Sequence, residues 1–301
     1  MNNPSQTATL TAGSQSRPYP HSSRADRRSS GTEALAGRPG GPIAGLVSPA
    51  TARRAVFFAL LLVGWEALSR FGPWPDYLLP GPVAVGASLA EGIRSGVFVR
   101  GAASSLLRLV VGYGISLIGG VGLGLLLARF RGLRETLGTL MVGLQALPSV
   151  CWLPLAILWF GLSERAIVFV VVMGSLFSIV LGVRDGIANT PPVFVKAARN
   201  LGASGWRLYV EVVLPAAFPT VLAGLKQGWA FAWRSLMAAE LLYYSLSLGN
   251  LLQTGRDLND AARVMAVMVL IVAIGVAFNQ WIFAPLERRV ATRWGLGAAG
   301  A

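Results

Sequence analysis

The sequence predicts an all-α membrane protein that crosses the bilayer six times, and three observations lead there. Hydrophobic residues make up 54% of the 301 positions and charged residues 13%, against roughly 25% charged in an ordinary soluble domain. The apolar residues are gathered into six long stretches, several of which reach the ~20 residues that a bilayer requires. The basic residues fall between those stretches in an alternating pattern. A net charge of +13 alone would fit a nucleic-acid binder, but such proteins carry their charge on a polar surface. This chain has too few polar residues to cover a globule, so no nucleic-acid partner is expected.

Residues 1–54 are rich in Ser, Thr, Gly, Pro and Arg and hold no apolar run, which predicts a disordered basic cytoplasmic tail. The tail also lacks the apolar core and small-residue cleavage site of a secretory signal. Residues 55–104 are expected to form a first span, Ala55–Leu68 stretched toward Arg53 and Phe71, and an external loop. Glu66 and Arg70, four apart, suit a helical ion pair. A core domain over 105–290 then holds the other five stretches, and 291–301 forms a cytoplasmic tail.

The second stretch, Leu106–Ala128, carries the pair Gly120 and Gly124, a spacing that lets membrane helices approach closely. The third, Leu137–Phe160, is broken by Pro148 and Pro154. A helix to about Leu147 is expected, followed by a short apolar segment at the far interface or lining a cavity, where irregular backbone is tolerated. The fourth, fifth and sixth stretches run Ala166–Val183, Ala216–Tyr244 and Ala261–Ala284. With both termini cytoplasmic, most basic residues lie inside: the tail arginines, Arg129, Arg131 and Arg134, four in the 183–215 loop, and Arg288, Arg289 and Arg293. Few lie outside, as the positive-inside rule requires.

The chemistry of an enzyme is missing from the composition. His21 and Cys151 are the lone histidine and cysteine, which excludes an internal disulfide, a cysteine zinc site and a Ser-His-Asp or Cys-His pair. Cys151 reads as a small packing residue. No metal site or cofactor is expected on this chain. There is no G-x-x-x-x-G-K-[ST] phosphate loop, so no P-loop nucleotide site is expected on this chain.

The 184–215 loop is long for a compact bundle and implies a task. Pro191 and Pro192 suit the first turn of a short amphipathic helix ending near Leu201, with Gly202 placed to stop it in a left-handed conformation. A second short helix over roughly Ser204–Val213 is expected to end before Pro215. Together they form a rigid knob that suits docking into a groove of another protein.

At these residues a family becomes visible. Ala197-Ala198, then Gly202, then Val212-x-Leu214-Pro215 resemble the E-A-A-x-x-x-G-x(9)-I-x-L-P signature of ABC importer permeases, with the spacing kept throughout. Lys196 stands where the signature has Glu, and Val212 where it has Ile. Ser105-Leu-Leu-Arg108 with Gly112-Tyr113, Trp152-Leu-Pro-Leu-Ala-Ile-Leu-Trp-Phe-Gly161, Gly224-Leu-Lys226 with Ala232-Trp-Arg234 and Ala239-Glu240, and Leu286-Glu-Arg-Arg289 are similar to the nitrate, sulfonate, taurine and bicarbonate branch. Within that branch the chain most resembles aliphatic sulfonate permeases.

The resemblance implies the type I ABC importer permease fold and a multi-pass place in the cell inner membrane. It implies two copies of an ABC ATPase, which bind ATP and Mg²⁺, an extracytoplasmic substrate-binding protein, and a second permease chain, as a homodimer. The coupling loop carried over from the signature comprises Lys196, Ala197, Ala198, Arg199, Leu201, Gly202, Ala203, Leu214 and Pro215. Closure of the ATPase dimer would pull the docked loops together and flip the pore.

In the fifth stretch, steps of 3.6 residues place Lys226, Trp229, Trp233, Met237 and Glu240 on one face, with Arg234 on its flank. Ionisable residues at membrane depth face a protein interior or an aqueous path. This face is therefore expected to line the translocation path, with Lys226 and Arg234 attracting a small anion such as an aliphatic sulfonate, taurine, nitrate or bicarbonate. The competing assignments are pairing of these charges with other helices, a permease for an uncharged heterocycle, and a secondary transporter or channel that needs no ATPase.

Overall fold

The computed structural model describes residues 49–75 and 77–293. The chain divides by its backbone contacts into Met1–Arg53 and Arg54–Ala301. The expected disordered tail falls, up to residue 48, outside the described residues, as do the last eight residues of the C-terminal tail. Among the described residues the chain is helical with no strand: α1 (Pro49–Phe71), α2 (Pro82–Arg94), α3 (Val97–Arg129), α4 (Arg131–Ala146), α5 (Leu153–Phe160), α6 (Glu164–Ala188), α7 (Pro192–Asn200), α8 (Gly205–Leu208), α9 (Leu214–Glu240), α10 (Leu248–Asp257), α11 (Ala261–Phe278) and α12 (Ala284–Arg293).

Four continuous helical runs are long and apolar enough to cross a membrane: Val97–Arg129, Glu164–Ala188, Gly205–Glu240 and Ala261–Thr292. A fifth candidate is the pair formed by α4 and the segment Ser149–Phe160, bent by 101°. α1 has the length of a span, 23 residues, but Arg53, Arg54, Glu66 and Arg70 interrupt its apolar run at both ends. Its Arg54–Gly64 stretch is exposed throughout. Trp65 packs on a small core formed with Val85, Phe98, Leu248 and Val267. The expected Glu66–Arg70 ion pair is present.

α3 begins at Val97, earlier than the apolar stretch suggests, because Gly96 adopts a left-handed φ of 72° and starts the helix there. Residues 97–104 therefore belong to the same helix as the core domain.

α6 is the centre of the bundle, with α3 and α9 packed along its length. In lipid there is no hydrophobic force between helices, so close packing and interhelical hydrogen bonds must hold them. The sequence supplies both. A Cβ added at Gly120 would meet Ile179 at 2.7 Å, and one at Gly124 would meet Val183 at 2.6 Å, so the predicted glycine pair is a helix contact. Across the other face of α6, the backbones of Gly182 and Gly224 touch: a Cβ on either would lie 2.6 Å from the other's Cα. Ser175 on α6 donates to Ser116 on α3 at 2.7 Å.

A branched side chain between two backbones has nowhere to move, and overpacking of this kind costs about 1–3 kcal/mol. Gly182→Val is expected to lower the thermal midpoint of the detergent-purified protein. Gly114, whose added Cβ meets nothing within 4 Å, should accept Ala with no loss. Equal midpoints for Gly182→Val and the parent would contradict the close α6–α9 contact.

The third stretch breaks where expected. Leu147 takes the extended conformation that a following proline imposes, with φ −70° and ψ 122°. A 3₁₀ turn at Ser149–Trp152 then leads into α5, which leaves Leu158 and Trp159 exposed. Trp159 and Phe160 pack on Phe169 of α6 with ring centroids 5.6 and 5.5 Å away.

Candidate functional site

The loop between α6 and α9 forms the two expected helices with one correction. α7 ends at Asn200, and Gly202 takes φ +87°. Its turn is closed by the N–H of Ala203 donating to Ala198 at 2.9 Å. This is a left-handed helix stop that glycine adopts without steric cost. The second helix does not end before Pro215. It runs through a π-helical turn at Tyr209–Val213 straight into α9, so that Gly205–Glu240 is one helical run. The N–H of Leu214 donates to Tyr209, five residues back. The wider turn makes room for the Pro215 ring and its missing donor. The same device recurs at Asn279–Phe283, just ahead of Pro285, where the N–H of Ala284 donates to Asn279.

The loop faces outward. Ala198 and Leu208 are buried, whereas Lys196, Ala197, Arg199 and Gly202 are exposed and Ala203 is half-buried. Leu201 is 88% exposed and Trp206 is 79% exposed. Two large apolar side chains this open, on either side of the Gly202 turn, are of the kind that contact surfaces use. Trp206 was not among the residues assigned from the signature; a tryptophan beside Arg207 in an otherwise polar loop was its available signal. Leu214 and Pro215 lie beyond the knob, in the first turn of α9.

The five residues assigned to one face of α9 do share a face, and it is turned into the protein. Lys226 Nζ pairs with Glu287 of α12 at 2.8 Å. Trp229 stacks on Phe278 with centroids 4.6 Å apart and meets Tyr113 edge-on at 5.1 Å. Trp233 and Met237 pack against both apolar cores. Glu240 is fully buried. Lys226 is therefore paired with an acid on a neighbouring helix, the arrangement that the competing assignment of interhelical pairing expects.

Arg234 sits on a different side. It is exposed, has no carboxylate within salt-bridge distance among the described residues, and lies with its guanidinium 4.8 Å from the Phe231 ring centroid. It borders a cavity of about 310 Å³ beside the broken third stretch, with Gln145, Leu147, Ser149, Met173 and Phe177 as neighbours. Ala223 and Gln227 continue the same exposed stripe of α9.

Sequence reasoning passed over the group that holds Glu240. Ser105 Oγ lies 2.9 and 2.7 Å from its two oxygens, Arg108 donates to it at 2.8 Å, and the N–H of Gly249 at 3.2 Å. Arg108 also donates twice to Glu164 at 2.6 Å and once to Ser245 at 2.7 Å. One guanidinium so joins α3, α6, α9 and the turn after α9. The signal available was a pair of opposite charges, Arg108 and Glu240, in two different apolar stretches.

The described residues thus form apolar helices with close glycine contacts, one bent helix pair and an exposed helix, α8, continuous with α9. The family model described as the binding-protein-dependent transport system inner membrane component matches residues 120–292. The chain belongs to this family. A putative ABC transporter permease of Methanocaldococcus jannaschii is 32% identical over 227 residues, covering 74% of this chain and 85% of the relative. A putative aliphatic sulfonates transport permease, SsuC of Escherichia coli K12, is 30% identical over 230 residues, covering 76% and 87%. Among solved structures, a chain of the MetNI methionine ABC transporter in an inward-facing conformation aligns with a TM-score of 0.56 at 20% identity, over 64% of this chain and 96% of that one. That likeness shows the fold. The permease is thus a non-catalytic, multi-pass membrane subunit of a transport system.

Proposed function

We propose that the permease is the pore-forming subunit of an ATP-driven importer for a small anion, of the kind named for its sulfonate relative. In this reading six spans, α1 included, place both termini in the cytoplasm, as the distribution of Lys and Arg favours. Two copies of a separate ATPase hold ATP and Mg²⁺ and dock on residues 196–207. A binding protein delivers substrate from the other side, and a second copy of the chain completes the pore.

One observation carries this reading: the second helix of the exposed knob and the fifth span are a single helical run, Gly205–Glu240. A displacement of the knob must therefore move α9, and with it the stripe bearing Gln227 and Arg234. No loop separates α8 from α9. The π turn at Tyr209–Val213 and Pro219 inside α9 are irregular points in that lever.

The test uses the transporter complex co-expressed with its ATPase. Gly202→Val places a branched side chain at φ +87°, which strains the turn by about 1–3 kcal/mol. Leu201→Asp alters the exposed surface without touching the core. Both variants are expected to reach the membrane and to lose most of the co-purifying ATPase. Full retention of the ATPase by both variants would overturn the coupling role of this loop.

A further inference from the structure

A second cavity lies away from α9's open stripe, between α10 and α11. It holds about 550 Å³, and its walls are Leu252, Val264, Met265 and Met268. Its rim is polar: Arg256, Gln253 and Asn259 border it. Arg256 is exposed and has no carboxylate within salt-bridge distance among the described residues. Asp257, the next residue, instead accepts from Gln253 at 3.0 Å and lies outside the cavity wall.

The position is as informative as the lining. The span formed by α11 and α12 begins at Ala261, so Arg256 and Asn259 stand where the apolar run starts. Asn259 takes φ 53°, reversing the chain there and holding α10 beside the top of α11. Tyr77, an amphipathic ring of the kind found at membrane interfaces, also borders the cavity. Below the rim, Met268, Val272 and Val276 are exposed at 53%, 63% and 53% along one side of α11. Met268 belongs both to the cavity wall and to this stripe. The cavity is therefore continuous with an exposed apolar side of α11, a surface suited to the hydrocarbon of a bilayer.

An apolar cleft that runs into an exposed apolar side of α11, capped by a guanidinium with no carboxylate partner among the described residues, matches one kind of ligand. We propose that this cleft binds a single phospholipid, with its phosphodiester on Arg256 and one acyl chain between Met265 and Met268. A soluble anion would leave the apolar walls hydrated, and a neutral amphiphile would leave the guanidinium without a partner. Basic groups at the membrane surface attract lipid phosphate, and methylene groups in a preformed apolar cleft are removed from water. This inference is independent of what the permease transports.

The test is lipid retention by the full chain in its detergent-purified complex, read by native mass spectrometry. Delipidated protein is offered phosphatidylglycerol, a diacylglycerol with the same chains, or glycerol 3-phosphate. Phosphatidylglycerol is expected to be retained at one copy per chain, and the other two are not. Arg256→Gln is expected to reduce retention about fivefold to tenfold. Met265→Trp, which fills the cleft, is expected to do the same, while Arg94→Gln, a charge outside this cavity, leaves it intact. Parent-level retention by both Arg256→Gln and Met265→Trp would overturn the proposal. So would equal retention of diacylglycerol, which would show that the phosphate is not read, or of glycerol 3-phosphate, which would mark a soluble-anion site.

Discussion

Arg108→Met is expected to destabilise the permease by about 3–5 kcal/mol, the cost of leaving a buried charge without its partner. Arg108 is 6% exposed and Glu240 is 0% exposed, so neither can turn to water when the other is removed. In the variant, Glu240 keeps Ser105 and the Gly249 N–H, two dipoles in place of a full positive charge. Ser245 and Glu164 lose their donors as well. The two acids contribute unequally. Glu164 is 56% exposed, so its bond to Arg108 is screened, and Glu164→Gln should cost about 1 kcal/mol or less. Removing both buried charges at once, Arg108→Met with Glu240→Leu, should recover much of the loss, because no orphaned charge remains. Thermal unfolding of the purified protein, followed by size-exclusion fluorescence, separates these cases. A single Arg108→Met variant that melts with the parent would show that the network does not hold the helices together.

Arg234→Met is expected to reduce anion uptake by about tenfold to a hundredfold while leaving the protein folded and assembled. The loss corresponds to one charge-assisted hydrogen bond to the moving substrate, about 1.5–3 kcal/mol. The side chain is exposed and free of acidic partners among the described residues, so its removal leaves no buried charge behind. Lys226→Met is the informative comparison. Lys226 has the same charge on the same helix, but Glu287 holds it at 2.8 Å. Both partners are partly exposed, at 38% and 43%, so its loss should change uptake little. Exchanging the two charges, Lys226→Glu with Glu287→Lys, should restore any deficit that Lys226→Glu causes. Uptake into cells or proteoliposomes, with ATPase activity measured in parallel, distinguishes a substrate role from a coupling defect. Parent-level uptake by Arg234→Met in assembled complexes would remove this residue from the path.

The contrast between these two basic residues shows what helical periodicity can and cannot say. Counting along α9 places Lys226, Trp229, Trp233, Met237 and Glu240 on one face, and the structure agrees that they share it. The count carries no information about rotation of that face within the bundle. Glu287 lies 61 residues from Lys226, and Arg108 lies 132 from Glu240; no local pattern links such positions. The turn at Gly202 was legible because its cause is local, a left-handed φ that one residue type adopts freely. The continuation of the second loop helix through Pro215 was not. A proline reads as a stop unless the preceding turn widens to take it, and that widening depends on packing around Tyr209–Val213.

The sequence by itself determined the membrane-spanning class, the break of the third stretch at Pro148, the close-packing glycines of α3, and the knob that precedes the fifth span. All of these follow from composition and from interactions within a few residues, where hydropathy, proline and glycine act directly on the backbone. Only the tertiary structure decided which charges are spent on holding helices together and which have no acidic partner among the described residues. Arg108, Glu240 and Lys226 are neutralised across helices; Arg234 and Arg256 open onto cavities. The physical reason is that a charge in an apolar bundle must find its partner on another helix, and which helix stands opposite is set by how the glycine seams let the backbones approach.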